Sequence, residues 1–182
     1  GTLVNLCYLA LFFFIVGFTR HRPQVDRLVT VIILTSVPVS LYGLIQYLGG
    51  LPGAPIRDPL PWGSDVTQRV TSTMGNPIFL GAWLIMVVPL TAARLIPAAA
   101  AFLRAANRPG PFPWAAWART AGYGLVLTLQ LLVILFTQSR GPWLGLLAGL
   151  FLFGVLTPLR LGRRRLALAG AAAGLALAGF IG

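Results

Sequence analysis

Long apolar blocks separated by shorter polar stretches dominate this chain. About 20 mostly apolar residues are enough for a helix to cross the roughly 30 Å hydrocarbon core of a bilayer. Six segments meet that requirement, at about 2–19, 28–48, 78–97, 120–138, 141–159 and 166–182. The pattern predicts an all-α fold, a polytopic transmembrane helical bundle with a longer loop at about 49–77.

The fourth and fifth segments form one apolar run from 120 to 159. As a single helix this run would be about 60 Å long, twice the hydrocarbon core, which tilting does not absorb. The stretch T-Q-S-R-G-P-W interrupts it with polar residues and with Gly141 and Pro142, which favour a turn and a new helix. We therefore expect the run to fold back here. Arg140 then lies at a membrane surface and not at the bilayer centre, where insertion would cost about 2.5–3.5 kcal/mol.

Composition supports a membrane protein. Of the 182 residues, 57 % are apolar and 9 % are charged, and the mean hydropathy is +0.85. A soluble domain needs more polar surface than this. The net charge of +11 comes from 14 basic residues that are spread between apolar segments, so we expect membrane lipids and no nucleic acid as partners.

The distribution of arginine predicts the topology. Eleven of the 14 lie in or beside three loops, at about 20–27, 98–119 and 160–165, which the positive-inside rule makes cytoplasmic. The loops at about 49–77 and 139–142 are then extracytoplasmic. Arg69 and Arg140 lie on that outer side, where topology does not explain them, and they become candidates for function.

The outer loop ends in Q-R-V-T-S-T-M-G-N-P, directly before the third helix. Two guanidinium groups offer planar donors that suit phosphate oxygens, and the free N–H groups at the start of the third helix would favour an anion. We predict a pyrophosphate site in which Arg69 and Arg140 are catalytic. The predicted substrate-binding residues are Gln46, Gln68, Thr73, Asn76 and Ser139. The alternative is that both arginines merely extend to lipid head groups.

Two stretches then resemble a known family. Residues 69–90, R-V-T-S-T-M-G-N-P-I-F-L-G-A-W-L-I-M-V-V-P-L, resemble the R-x-x-[ST]-x-x-G-N-P signature of the O-antigen ligase and polymerase family. Residues 135–150, L-F-T-Q-S-R-G-P-W-L-G-L-L-A-G-L, resemble its T-x-S-R-G-x-x-x-G-L-x-x-G segment, and L-Y-G-L-I-Q-Y-L-G at 41–49 is similar too. The matches follow the family's order.

The resemblance implies a GT-C-like glycosyltransferase of the bacterial cytoplasmic membrane. Such an enzyme transfers a glycan from undecaprenyl pyrophosphate to lipid A–core or to another glycan on the outer face, without a metal or another cofactor. Arg140 matches the arginine that the family uses on the pyrophosphate, and Arg69 matches the one before G-N-P. The family's general base lies in a large outer loop, expected beyond residue 182, so we expect this chain to be part of a longer protein and inactive alone.

Two other functions remain open. A transporter of a small anion such as bicarbonate would need polar residues inside the helices, and Gln130 and Thr128 are the main ones in helices three to five. A non-catalytic membrane scaffold would tolerate replacement of both Arg69 and Arg140. No HExxH, CxxC, P-loop, DxD or GxSxG pattern occurs, so no metal site or nucleotide site is predicted.

Overall fold

A computed structural model of the chain describes residues 2–51 and 69–160, apart from the side chains of residues 153 and 157–160. These residues form five α-helices and one 3₁₀ turn, and no strand occurs among them. The helices are α1 (Thr2–Phe18), α2 (Arg22–Gly49), α3 (Pro77–Ala106), α4 (Trp114–Phe136) and α5 (Arg140–Arg160), and the turn is Ser72–Met74. The segment predicted at 166–182 and most of the loop predicted at 49–77 lie outside the described residues.

Helices α2, α3 and α4 are long and apolar enough to cross a membrane. They have 28, 30 and 23 residues, and each is therefore longer than the roughly 30 Å core at about 1.5 Å per residue. Helix α1 and the 140–156 part of α5 are shorter apolar helices. The predicted all-α class is thus confirmed for the described chain, whereas six spans and a GT-C-like architecture remain predictions.

Three helices extend beyond the predicted bounds. Helix α2 begins at Arg22 and not near 28, because the Gln24 side chain accepts hydrogen bonds from the N–H groups of Arg20 (2.9 Å) and His21 (3.1 Å) and so caps the helix. Helix α3 continues past 97 through an alanine-rich stretch, and α4 begins at 114 and not near 120. The loop predicted at 98–119 therefore shrinks to 107–113. Hydropathy marks the part of a helix that suits lipid, whereas alanine and arginine favour a helix in water as well.

Contacts between the helices fix their relative directions. Thr91 of α3 hydrogen-bonds Gln130 of α4, and a Cβ at Gly81, earlier in α3, would lie within 3.6 Å of Thr137, just after α4. Helices α3 and α4 are therefore antiparallel. Pro142 of α5 packs against Gly81, so α5 starts beside the start of α3. We call this end of the bundle, where α2 and α4 finish and α3 and α5 begin, the site end.

The hydrophobic core lies between α3 and α4, in the part of the bundle nearest the site end. It consists of Val70, Leu80, Leu84, Val88, Val133, Ile134 and Leu146, all buried. Gly43 allows α2 to join this core, because a Cβ there would lie 3.0 Å from Val133 Cγ1. Small residues let membrane helices approach in this way. Helix α1 has no buried residue, and its apolar side chains face outward all around.

Candidate functional site

Arg69 joins the two predicted motifs at the site end. Its Nε donates a hydrogen bond to the Thr137 carbonyl at 3.2 Å, and its Nη2 donates to Ser139 Oγ at 2.8 Å. The backbone follows, since the N–H of Val70 donates to the Phe136 carbonyl at 3.1 Å. The chain before α3 therefore docks on the corner between α4 and α5, although Arg69 and Ser139 are 70 residues apart in sequence.

Gln46 holds the same segment from the other side. Its side chain is 1 % exposed, and its Oε1 accepts from the N–H groups of Thr71 (3.0 Å) and Ser72 (2.8 Å). The Ser72 hydroxyl in turn donates to the Val39 carbonyl at 2.6 Å. Predicted as a substrate-binding residue, Gln46 is buried in this structure and positions the backbone that carries Arg69.

Two backbone positions at this end are strained. Ser72 (φ 48°) and Gln138 (φ 47°) are the residues other than glycine that have a positive φ in the described chain. Such conformations cost of order 1–3 kcal/mol and persist where the surrounding structure fixes them. Ser72 is held by its bonds to α2, and Gln138 lies between Thr137 and Ser139, which contact Arg69. Both strained residues thus belong to the segments that form the site.

The start of α3 offers fewer free donors than predicted. Pro77 has no N–H, and the side chain of Asn76 accepts from the N–H of Ile78 at 2.8 Å. Asn76, predicted to bind substrate, is thus the helix cap, and it takes one of the N–H groups at the start of α3 that were expected to face an anion. Gly75, with a φ of 67°, makes the turn into this cap.

The start of α5 provides donors instead. Arg140 and Gly141 carry its first N–H groups, which have no partner within a helix, and Gly141 has open space around it. A Cβ at Gly81 would lie 2.6 Å from Pro142 Cγ, so glycine brings the starts of α3 and α5 side by side. Each helix start carries about half a positive charge, so two helix dipoles add to the charge of the arginines.

Arg140 is exposed and has no hydrogen-bond or ion-pair partner among the described residues. The guanidinium of Arg69 contacts Ser139, the residue directly before it, and Ser139 is itself 2 % exposed. Thr73 is exposed near the same turn. Gln68 lies outside the described residues, so its predicted role stays a prediction.

The described residues of the site end carry the positive charges of Arg69 and Arg140 and include no acid. Asp26, the acidic residue of the described chain, lies at the opposite end of α2, as does His21. No group of three or more His, Cys, Asp or Glu that could hold a metal occurs in the described ranges. The described residues at this end therefore offer hydrogen-bond donors of the kind that suits phosphate oxygens, but they include no His, Asp or Glu as a general base.

A polar cluster in the middle of the bundle was only partly foreseen. Gln130 Nε2 donates to Ser36 Oγ (2.7 Å) and to Thr91 Oγ1 (3.0 Å), and all three side chains are fully buried. The sequence marked Gln130 and Thr128, but Thr128 is exposed and bonds its own helix at the Gly124 carbonyl. Ser36 and Ser40 lie four residues apart and so share one face of α2, and this spacing was a signal that could have marked Ser36 as facing the bundle.

Comparison with family models, with curated proteins and with solved structures found no match for this chain.

Proposed function

We propose that this chain belongs to a glycosyltransferase that transfers a glycan from undecaprenyl pyrophosphate to lipid A–core or to another glycan. The enzyme lies in the cytoplasmic membrane of a bacterium, with the site end on the outer face. Arg69 and Arg140 bind the pyrophosphate of the donor.

One observation carries the proposal most directly: the hydrogen bond of 2.8 Å between the Arg69 guanidinium and Ser139 Oγ. The resemblance rests on two separate motifs, and this bond joins them in one place. Arg140, which has no hydrogen-bond or ion-pair partner among the described residues, follows Ser139 directly and begins α5. Charged donors on a phosphate make strong hydrogen bonds, and a helix start favours the same anion.

The proposed reaction is an inverting displacement. The acceptor hydroxyl attacks the anomeric carbon of the donor sugar, a new glycosidic bond forms, and the bond to the pyrophosphate oxygen breaks with its electron pair. Arg140 and Arg69 stabilise the charge that grows on the leaving pyrophosphate, which is the preorganised electrostatic role. The proton of the acceptor passes to a base outside the described residues.

The test is glycan transfer in liposomes that contain the natural full-length protein and undecaprenyl-pyrophosphate-linked glycan. We expect Arg140→Gln to lose roughly 10²–10³-fold in rate, as when one preorganised donor is removed from a developing anion. Arg104→Gln, which removes an exposed arginine from the other end of α3, serves as the matched control and should transfer normally. Equal transfer by wild type and Arg140→Gln would contradict the proposal.

Transport of a small anion is the second candidate, and the buried polar cluster is the observation that favours it. Gln130 Oε1 and Ser40 Oγ are buried without a partner in the described chain, and polar groups at membrane depth often mark a solute path. The cluster is uncharged, however, and its side chains are fully buried in this conformation. Uptake of labelled bicarbonate into the same liposomes, with no glycan transfer, would favour transport.

A further inference from the structure

The end of the bundle opposite the site end carries a basic cleft. It is lined by residues of α2, α3 and α4, among them Tyr123. One cavity of about 430 Å³ is lined by Arg94, Arg119, Tyr123 and small apolar residues. A neighbouring cavity of about 480 Å³ is lined by Asp26, Arg27, Arg94 and Tyr123. The two cavities share Arg94 and Tyr123, and together their linings include three arginines from three helices and one aspartate, so the described lining has an excess of positive charge.

Two arginines of this cleft differ in whether they have a partner. Arg94 Nη2 donates to Asp26 Oδ1 at 2.7 Å and to the Asp26 carbonyl at 3.2 Å. Arg119 has no hydrogen-bond or ion-pair partner among the described residues. A guanidinium keeps its charge at physiological pH, so Arg119 offers a complete set of donors to an anion.

The depth of the cleft matches a membrane surface. Arg94 lies 17 residues after the start of α3 at Pro77, and Arg119 lies 17 residues before the end of α4 at Phe136. Both distances correspond to about 26 Å at about 1.5 Å per residue, close to the thickness of the hydrocarbon core. If the site end lies at one surface, Arg94 and Arg119 lie at the level of the head groups of the other. The exposed Trp114 and Trp117 on α4 are typical of that level.

An apolar groove continues from the cleft toward the middle of the membrane. A third cavity of about 320 Å³ shares Arg119 and Tyr123 with the first and is otherwise lined mainly by apolar residues, among them Ile33, Leu34 and Val126. A free phosphate ion would gain no binding energy from this apolar groove. A phospholipid would place its phosphate on the arginines and an acyl chain in the groove.

We propose that this basic cleft binds the head group of an anionic phospholipid. Arg119 contacts the phosphate and Arg94 and Arg27 add to the field, while Asp26 holds Arg94 in place. This inference concerns the end opposite the pyrophosphate site and does not depend on the proposed transferase activity.

The test is native mass spectrometry of the natural full-length protein, mixed with phosphatidylglycerol or with phosphatidylcholine of the same acyl chains. We expect the wild type to retain phosphatidylglycerol in preference, and Arg119→Gln to reduce that preference roughly fivefold, which is the contribution of one arginine near a lipid surface. Arg119→Lys should keep part of it. Arg104→Gln, an exposed arginine further along α3, should leave it unchanged.

Three outcomes would overturn the proposal. They are equal retention of both lipids by the wild type, an equal loss in Arg104→Gln and Arg119→Gln, and displacement of phosphatidylglycerol by millimolar inorganic phosphate, which would assign the cleft to a free anion. If Arg119→Gln does not fold, Arg27→Gln removes a cleft arginine on α2 and is measured in its place, and an unchanged preference there counts against the proposal.

Discussion

Replacing Gly81 by alanine tests the close approach of α3 and α5 on which the site depends. The added Cβ would lie 2.6 Å from Pro142 Cγ and 2.7 Å from Pro142 Cβ. Carbon atoms pack best at about 3.5–4.0 Å, so one helix would have to move by roughly 1 Å. The proline ring cannot rotate away. Overpacking of this kind costs typically about 1–3 kcal/mol, and we expect Gly81→Ala to lower the free energy of unfolding by that amount.

The assay is unfolding by sodium dodecyl sulfate of the purified protein in mixed micelles. Gly149→Ala on α5 is the matched control, because a Cβ there meets no atom within 4 Å, and it should cause no loss of stability. Pro142→Gly removes both clashing atoms, so the double variant should recover most of the loss, with a coupling within the range of about 0.5–3 kcal/mol for residues in contact. Wild-type stability of Gly81→Ala, or failure of Pro142→Gly to rescue it, would refute the side-by-side start of α3 and α5.

Three further variants measure, in the same unfolding assay, how much three different kinds of polar contact contribute to stability. Gln46→Leu leaves two buried backbone N–H groups without an acceptor and should lower the free energy of unfolding by at least about 1–3 kcal/mol. Gln130→Leu should change the free energy of unfolding by less than about 1 kcal/mol, because hydrogen bonds between membrane helices average roughly 0.6 kcal/mol. The substitution also removes the Gln130 Oε1 atom, which is buried without a partner among the described residues. A larger loss would mean that this oxygen has a partner. Asp26→Asn breaks the ion pair with Arg94, but the carboxylate is 62 % exposed, so the change should stay below about 1 kcal/mol and shrink with added salt.

The sequence located the described helices and the ends of α1 and α5 to within one residue, but not the full extent of α2, α3 and α4. Apolar length identified the segments that form α1 to α5. The bounds differ where the chain remains helical outside the apolar stretch, as in the alanine-rich end of α3 up to Ala106. Hydropathy reports which residues suit lipid, whereas a helix ends where its caps lie. The loop predicted at 98–119 was too long for this reason.

That the two motifs lie at the same end of the bundle was predicted from the sequence, whereas their atomic contacts were not. The sequence placed Arg69 and Arg140 on one face, and the structure brings Arg69 to the residue before Arg140. It did not predict that Gln46 would be buried under the loop, because that depends on bonds between residues 25 and 26 positions apart. The positive φ at Ser72 and Gln138 likewise follows from these distant contacts and has no local signal.

The most direct test of the central claim is the affinity of the natural full-length protein for undecaprenyl pyrophosphate compared with undecaprenyl monophosphate. We predict that the wild type prefers the pyrophosphate and that Arg69→Gln and Arg140→Gln each remove most of that preference. Arg119→Gln, at the opposite end of the bundle, should retain it. If the wild type binds both lipids equally, or if the preference survives in both site variants, Arg69 and Arg140 do not form a pyrophosphate site.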